Sequence, residues 1–302
     1  MAKTKEVDYE QASLFQAPTK SGQAAKIDFR KNFERLAYTQ SYSSVFDDFL
    51  DFALYQLNID KANDPNRERL DKKYKEEDGI LFAKMFNDWA IATDNEGEGF
   101  YDVLGDLFME LLAKERIGQY FTPMPICDMM AQMTYGTSIT EIAAPTVHDP
   151  AVGSGRMIMA IAKMNRNAKF FSADLDITCC KMTVLNMMAN SMRGEVAWMN
   201  SLSMEHYGGW FIDRKRYDGK LLPFYIQLPK NVTSIKMGPD NPGFIFQEDI
   251  DRINSERSAK AMLGFLKELN VAADYKPVER QFYTVDQQYF AYLNQSNGKA
   301  SV

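Results

Sequence analysis

Cysteine and histidine are scarce in this sequence. It contains three cysteines, two of them adjacent (Cys179 and Cys180), and two histidines, His148 and His206. So few thiols cannot form a disulfide framework, and two separated histidines leave little room for a His-based metal site. We therefore predict a protein without structural disulfides and without a bound metal ion.

The sequence also has no excess of basic residues. It contains 35 Lys and Arg and 41 Asp and Glu, which gives a net charge of −6 at pH 7. This balance argues against a protein that coats nucleic acid by bulk charge, although it allows a local basic patch. The sequence has neither a long uncharged apolar run nor a signal-peptide pattern. These absences predict a soluble, cytoplasmic protein with no membrane contact.

What is present is ordinary globular composition, with 45% hydrophobic and 25% charged residues over 302 positions. Residues 1–27 are polar and lack an apolar period, which predicts a flexible arm. Residues 28–118 carry apolar residues at helical spacing, most clearly between Phe100 and Leu112, with Ser44 as the N-cap of an earlier helix. This segment is predicted to be a helical subdomain.

From residue 119 the pattern changes to strands alternating with helices, and the first helix is predicted to have Thr122 as its N-cap and Pro123 at its first position. Short apolar strands are predicted over residues 146–148, 169–173, 195–200 and 221–228, with helices between the first three. This alternation predicts an α/β fold with a mainly parallel sheet over residues 119–240. Residues 241–302 are predicted to form a C-terminal helical extension.

The first predicted strand leads into Asp149-Pro-Ala-Val-Gly153-Ser-Gly155, with a helix behind it. A glycine loop between strand and helix lets a nucleotide-like ligand approach the backbone at a helix N-terminus. A tight turn without a ligand is the alternative interpretation. Asp174 ends the second strand, where an acid can accept hydrogen bonds from ribose hydroxyls, whereas Asp176 suits the N-cap of the next helix.

Three segments carry a resemblance to a known family. They are YDVLGDLFMELLAKERIGQYFTP, HDPAVGSGRMIMAIA and SADLDITCCKMTVLNMMANSMRGEVAWMNSL. Together they resemble the N6-adenine DNA methyltransferases of restriction–modification systems, and among these the methylation subunits of type I systems. The resemblance implies a helical N-terminal region followed by a Rossmann-like domain that binds S-adenosylmethionine.

The resemblance also implies roles for individual residues in binding the cofactor. Residues 120–123 would pack on its methionine end, the glycine loop would surround its amino-acid moiety, Asp174 would bind the ribose, and Asn200 would accept from the adenine amine. Asn200 replaces the aspartate that is common in the family, and its amide oxygen still accepts hydrogen bonds. The implied cofactor-binding residues are Tyr120, Phe121, Thr122, Pro123, Asp149, Pro150, Gly153, Gly155, Asp174 and Asn200.

The family's catalytic signature, Asn-Pro-Pro followed by an aromatic residue, is absent from this sequence. We place the degenerate catalytic positions at Gln227 and Pro229, because they follow an apolar strand. The alternative is the segment with Asn241, Pro242 and Phe244, which has better chemistry but which also reads as a β-turn.

The resulting prediction is an S-adenosylmethionine-binding protein similar to DNA adenine-N6 methyltransferases, with weak or no catalysis by itself. The second hypothesis is an inactive homologue that serves as a DNA- or protein-binding regulatory module. The expected partners are DNA and, in addition, a specificity or restriction subunit. The basic cluster Arg214-Lys215-Arg216 is either a site for DNA phosphates or a solvated loop.

Overall fold

The structure, a computed structural model, describes residues 20–58, 64–112, 119–136, 139, 142, 144–217 and 220–235. Helices form the first part: α1 (Gly22–Leu36), α2 (Tyr42–Leu57), α3 (Pro65–Lys73), α4 (Glu76–Asp94) and α5 (Val103–Leu107), which continues as a π-helix over Phe108–Leu112. No helix in these ranges is long and apolar enough to cross a membrane.

Strands and helices then alternate as the sequence predicts. The elements are α6 (Met124–Tyr135), β1 (Thr146–Asp149), α7 (Arg156–Met164), β2 (Lys169–Asp174), α8 (Ile177–Ala189), β3 (Arg193–Asn200), β4 (Glu205–Tyr217) and β5 (Lys220–Leu228). Strands β1, β2 and β3 pair in parallel, in a β1–α7–β2–α8–β3 succession. The predicted α/β class with a Rossmann-like unit is confirmed.

Three helix starts differ from the sequence predictions. Helix α1 begins at Gly22, capped by Ser21, so a helix occupies the end of the predicted 1–27 arm. Ser41 caps α2 by accepting from the amide of Ser44, which is therefore the donor and not the cap. Pro123 occupies the N-cap position of α6 that was predicted for Thr122. The predicted cap at Asp176 is correct, since its side chain accepts from the Thr178 amide.

The sheet departs from the mainly parallel prediction at its outer half. The strand order is β1-β2-β3-β4-β5, and both β4 and β5 are antiparallel to their preceding neighbours. Residues 205–217, which the sequence did not predict as a strand, form β4. Gly208 and Gly209 interrupt its apolar pattern, and Gly209 is needed because a Cβ there would lie 2.6 Å from the Val196 carbonyl oxygen.

The two faces of the sheet pack against different parts of the chain. Phe170, Val196 and Ile212 belong to the main core, which also contains the buried faces of the helices. The adjacent residues along the strands point to the opposite face, where Val232 and Ile235 cover them. The Tyr225 hydroxyl donates to the Leu54 carbonyl oxygen over 2.8 Å, which joins β5 to α2. The main core runs through helices and sheet alike, and the predicted domain boundaries at 118 and 240 stay predictions.

His206 gives the fold a pH dependence that can be measured. The ring is 1% exposed, its Nδ1 accepts from the Asn231 amide over 2.9 Å, and burial lowers its pKa to about 4. Because the unfolded chain binds this proton near pH 6.5 and the folded chain does not, the associated stability is complete above pH 6.5 and is lost as the pH falls toward 4. We expect His206 to remove about 2 kcal/mol of unfolding free energy between pH 7.5 and pH 5.

Urea unfolding of the wild type and of His206→Gln at both pH values measures this contribution. The wild type should lose about 2 kcal/mol more than the variant between the two conditions. Equal losses in the two proteins would show that His206 is not the group responsible.

Candidate cofactor site

The loop between β1 and α7 is the centre of the candidate site. Gly153 and Gly155 have φ angles of +58° and +91°, values that favour glycine because a side chain there strains the backbone. A Cβ on Gly153 would lie 2.9 Å from the ring of Phe121. Gly155 is the N-cap of α7 and provides no side-chain cap, so the first turn of that helix relies on other acceptors.

The segment before α6 lies against this loop. The Phe121 ring contacts the Gly153 backbone, stacks on Phe108 with ring centroids 5.0 Å apart, and lies 5.9 Å from the Arg156 guanidinium. Tyr120 is 78% exposed. The two aromatic residues of this segment therefore differ, because Phe121 packs inside the fold whereas Tyr120 is exposed and can contact a ligand.

A cavity of about 400 Å³ opens between the loop, this segment and α6. Six of the implied cofactor residues line it: Tyr120, Phe121, Thr122, Asp149, Pro150 and Gly153. The structure therefore brings together two sequence segments that are about thirty residues apart. The size falls within the range of small-molecule sites, and the first turn of α7 adds backbone donors for an anionic group.

Four implied cofactor residues do not line this cavity. Pro123 lines a neighbouring cavity instead, together with Arg166. Gly155 packs against Thr183. The other two, Asp174 and Asn200, lie at the ends of β2 and β3.

The two carboxylates at the strand ends are partly desolvated. Burial raises the pKa of Asp149 above its ordinary value, against a hydrogen bond from the Ala151 amide that lowers it. Burial also raises the pKa of Asp174, against hydrogen bonds from the amides of Asp176 and Gly153, each at 2.9 Å. Asp174 thus holds the glycine loop directly, a role that the sequence did not reveal.

Asn200 acts as the cap of a turn. Its Oδ1 accepts from the amides of Leu202 and Ser203, at 2.9 and 3.1 Å. The Ser201 hydroxyl donates to the Pro150 carbonyl oxygen over 2.7 Å, so the end of β3 is tied to the glycine loop.

Gln227 and Pro229 lie away from the glycine loop. They line a separate cavity of about 320 Å³, whose walls include Trp198 and Tyr207. Because β5 and β1 are separated by three strands, the two sites are four strand spacings apart, roughly 19 Å. The structure does not bring the proposed catalytic residues into the candidate cofactor site, and Asn241, Pro242 and Phe244 lie outside the described residues.

The basic cluster is a strand and not a loop. Arg214, in β4, donates to the Ser191 carbonyl oxygen and to Asn167 Oδ1, at 3.2 and 3.1 Å. Burial lowers the pKa of Arg214 and that of Lys215. These hydrogen bonds give the Arg214 guanidinium a structural role within the fold.

A buried polar network behind the loop was missed by the sequence analysis. Asp102 accepts from Ser154 Oγ and Arg156 Nε, both at 2.6 Å, and from Asn186 Nδ2 at 2.8 Å. The only signal in the sequence was a polar residue, Asn186, inside an apolar helical run. Within the described residues, no group of three His, Cys, Asp or Glu side chains could hold a metal ion.

Part of the chain matches a known protein family. Residues 100–217 match the model of a family described as N-6 DNA Methylase. The matched segment covers less than half of the chain and includes the glycine loop, Asp174 and Asn200. It ends before Gln227.

Among solved structures, the chain is similar to the methyltransferase subunit of a type I restriction–modification system from Streptococcus thermophilus. The identity is 18% and the TM-score 0.32, over 54% of this chain and 37% of that one. The similarity thus spans little more than a third of that protein's length. No curated protein sequence matches the chain.

The fold and the loop define a protein of the α/β class with a βαβ ligand site. More particularly, residues 100–217 match the N-6 DNA Methylase family model, in agreement with the resemblance that the sequence motifs carry.

Proposed function

We propose that the chain binds S-adenosylmethionine at the glycine loop. The observation that carries this proposal is the cavity between the loop and residues 120–123, with two glycines at positive φ and an uncapped helix N-terminus. The amides of the α7 first turn suit the cofactor's carboxylate, and Asp149 suits its amino group. When bound, the cofactor supplies an electrophilic methyl group.

The ribose and the adenine would lie toward β2 and β3. A carboxylate offers about four lone-pair positions, and Asp174 uses two for the amides of Gly153 and Asp176. It retains the capacity to accept from ribose hydroxyls. In this proposal residues 120–123 pack on the methionine end. Asn200 Oδ1 already accepts from the amides of Leu202 and Ser203, so it must release one of these hydrogen bonds to accept from the adenine amine.

The proposed substrate is adenine in DNA, on the strength of the family match. The base would have to leave the duplex, because its amine is not accessible inside the stack. We further propose that the protein acts in the cytoplasm together with a specificity or restriction subunit, as its resemblance to type I methylation subunits implies.

We propose that methyl transfer by the isolated chain is very slow or absent. Gln227 and Pro229 lie roughly 19 Å from the glycine loop, whereas transfer requires the amine and the methyl group in near contact. The same observation favours a second candidate function, a catalytically inactive homologue that binds DNA or a protein and regulates it.

Calorimetric titration with S-adenosylmethionine tests the cofactor proposal. We expect saturable binding with a dissociation constant between roughly 1 μM and 1 mM, the usual range for substrates. Gly153→Val should abolish the binding, since its side chain would meet the Phe121 ring. Gln227→Ala is the matched control and should bind as the wild type does.

A radiolabelled transfer assay on mixed-sequence DNA then separates the two candidate functions. Absence of cofactor binding at millimolar concentration would contradict the cofactor proposal and favour the regulatory module. Rapid methylation that survives Gln227→Ala would contradict the proposed slow transfer and make Asn241 the next residue to test.

A further inference from the structure

Helix α8 holds the glycine loop, and none of its residues lines the cavity. Thr183 Oγ1 donates to the Gly153 carbonyl oxygen over 2.8 Å, and Asn186 Nδ2 donates to the Ser154 carbonyl oxygen over 2.9 Å. The two side chains are three positions apart, so they lie on the same face of the helix. Both are fully buried. Two consecutive loop carbonyls are thus fixed by one helix face.

This contact determines where a loop amide points. In a planar trans peptide the carbonyl and the following N–H point in opposite directions, and no cis peptide bond occurs in the described chain. With the Gly153 carbonyl directed to Thr183, the Ser154 N–H points away from α8. Ser154 lines the cavity. The Thr183 hydrogen bond therefore turns a donor toward the proposed cofactor.

Asn186 adds a second connection. Its Nδ2 donates both to the Ser154 carbonyl oxygen and to Asp102 Oδ1, and the Ser154 hydroxyl donates to Asp102 Oδ2. Asp102 precedes α5, so the loop is held by two separate elements of the fold. Because buried hydrogen bonds of this kind are costly to leave unmade, the loop has one favoured conformation.

We propose that Thr183 and Asn186 are positioning residues for cofactor binding. They do not touch the cofactor; they orient the loop amide that does. The inference rests on the proposed function, since it assumes that S-adenosylmethionine binds at this loop.

The test compares three threonine variants in α8. Thr183→Val removes the hydroxyl at nearly constant volume, and Thr183→Ser keeps it. Thr178→Val is the matched control, because Thr178 is also buried in α8 and donates over 2.8 Å to Asp47, away from the loop. Two quantities are measured for each protein: the dissociation constant for S-adenosylmethionine and the unfolding free energy without ligand.

We expect Thr183→Val to weaken cofactor binding by about five- to twentyfold, because the Gly153 carbonyl loses its partner. Thr183→Ser should restore the affinity to within about twofold of the wild type. Thr178→Val should lower stability to a similar degree as Thr183→Val, with unchanged affinity. A merely structural role for Thr183 would not produce this difference.

Each other outcome overturns a specific statement. A wild type that does not bind the cofactor overturns the proposed function and, with it, this inference. Wild-type binding that Thr183→Val leaves unchanged, or that Thr178→Val weakens equally, overturns this inference alone. If circular dichroism shows that Thr183→Val is unfolded, Thr183→Ala replaces it with the same expectations.

Discussion

Replacing Asp102 by alanine is expected to lower the unfolding free energy by about 3–5 kcal/mol, the usual cost of breaking a buried ion pair from one side. Asp102 is 1% exposed, and its carboxylate accepts from Arg156 Nε, Ser154 Oγ, Asn186 Nδ2 and the Gly105 amide. Its removal leaves a buried guanidinium that keeps its ion pair with Asp106. Urea unfolding measures the loss.

The matched control is Asp128→Ala. Asp128 also forms an ion pair, with Lys163 at 2.9 Å, but both side chains are 37% exposed. Exposed pairs contribute about 0–1 kcal/mol, so this variant should remain close to the wild type. A loss below about 1 kcal/mol in Asp102→Ala would contradict the view that this pair stabilises the loop from behind. Asp102→Asn, which keeps the shape and removes the charge, provides a folded reference if the alanine variant does not fold.

The features that the sequence predicted are those with a local signature. The glycine loop, the Asp176 cap and the first three strands are all encoded within runs of about ten residues or fewer. Gly153 shows why, since a turn position at positive φ favours glycine whatever the distant partners of that turn are. Local steric rules are sufficient for such positions.

The features that were missed depend on partners far along the chain. Asp102 and Asn186 are 84 residues apart in the sequence, and the residues that flank each of them do not indicate that the two side chains meet. Strand β4 was missed for a related reason, because Gly209 is dictated by the close approach of the Val196 carbonyl on the neighbouring strand. When the glycines of a strand are required by the close approach of a neighbouring strand, the sequence lacks the alternation of apolar and polar residues by which a strand is recognised.

The position of the last strand could not be read from the sequence either. Residues 221–228 were predicted as a strand, and β5 (Lys220–Leu228) confirms it. The order of the strands in the sheet could not be predicted, since it depends on whether the chain crosses the sheet or turns back after a strand. The β4–β5 hairpin turns back beside β3 and carries Gln227 away from the glycine loop.

Replacing Asp174 by alanine is expected to weaken S-adenosylmethionine binding by about 1.5–3 kcal/mol, or roughly ten- to 150-fold. The carboxylate has two roles in our proposal. It accepts from the Gly153 amide and so holds the loop, and it accepts from the ribose hydroxyls of the cofactor. Asp176→Ala is the control, because Asp176 is a neighbouring acid that caps α8 and is assigned no cofactor contact. Its affinity for the cofactor should stay within about twofold of the wild type.

The 2′-deoxy analogue of S-adenosylmethionine separates the two roles of Asp174. If the carboxylate binds the ribose, the analogue has already lost part of that contact. Asp174→Ala should then weaken the binding of the analogue less than it weakens the binding of S-adenosylmethionine. If the carboxylate only holds the loop, the variant should weaken both ligands equally, because the Gly153 amide loses its acceptor in either case. Equal losses would contradict the ribose role and leave Asp174 as a residue that acts through the glycine loop alone.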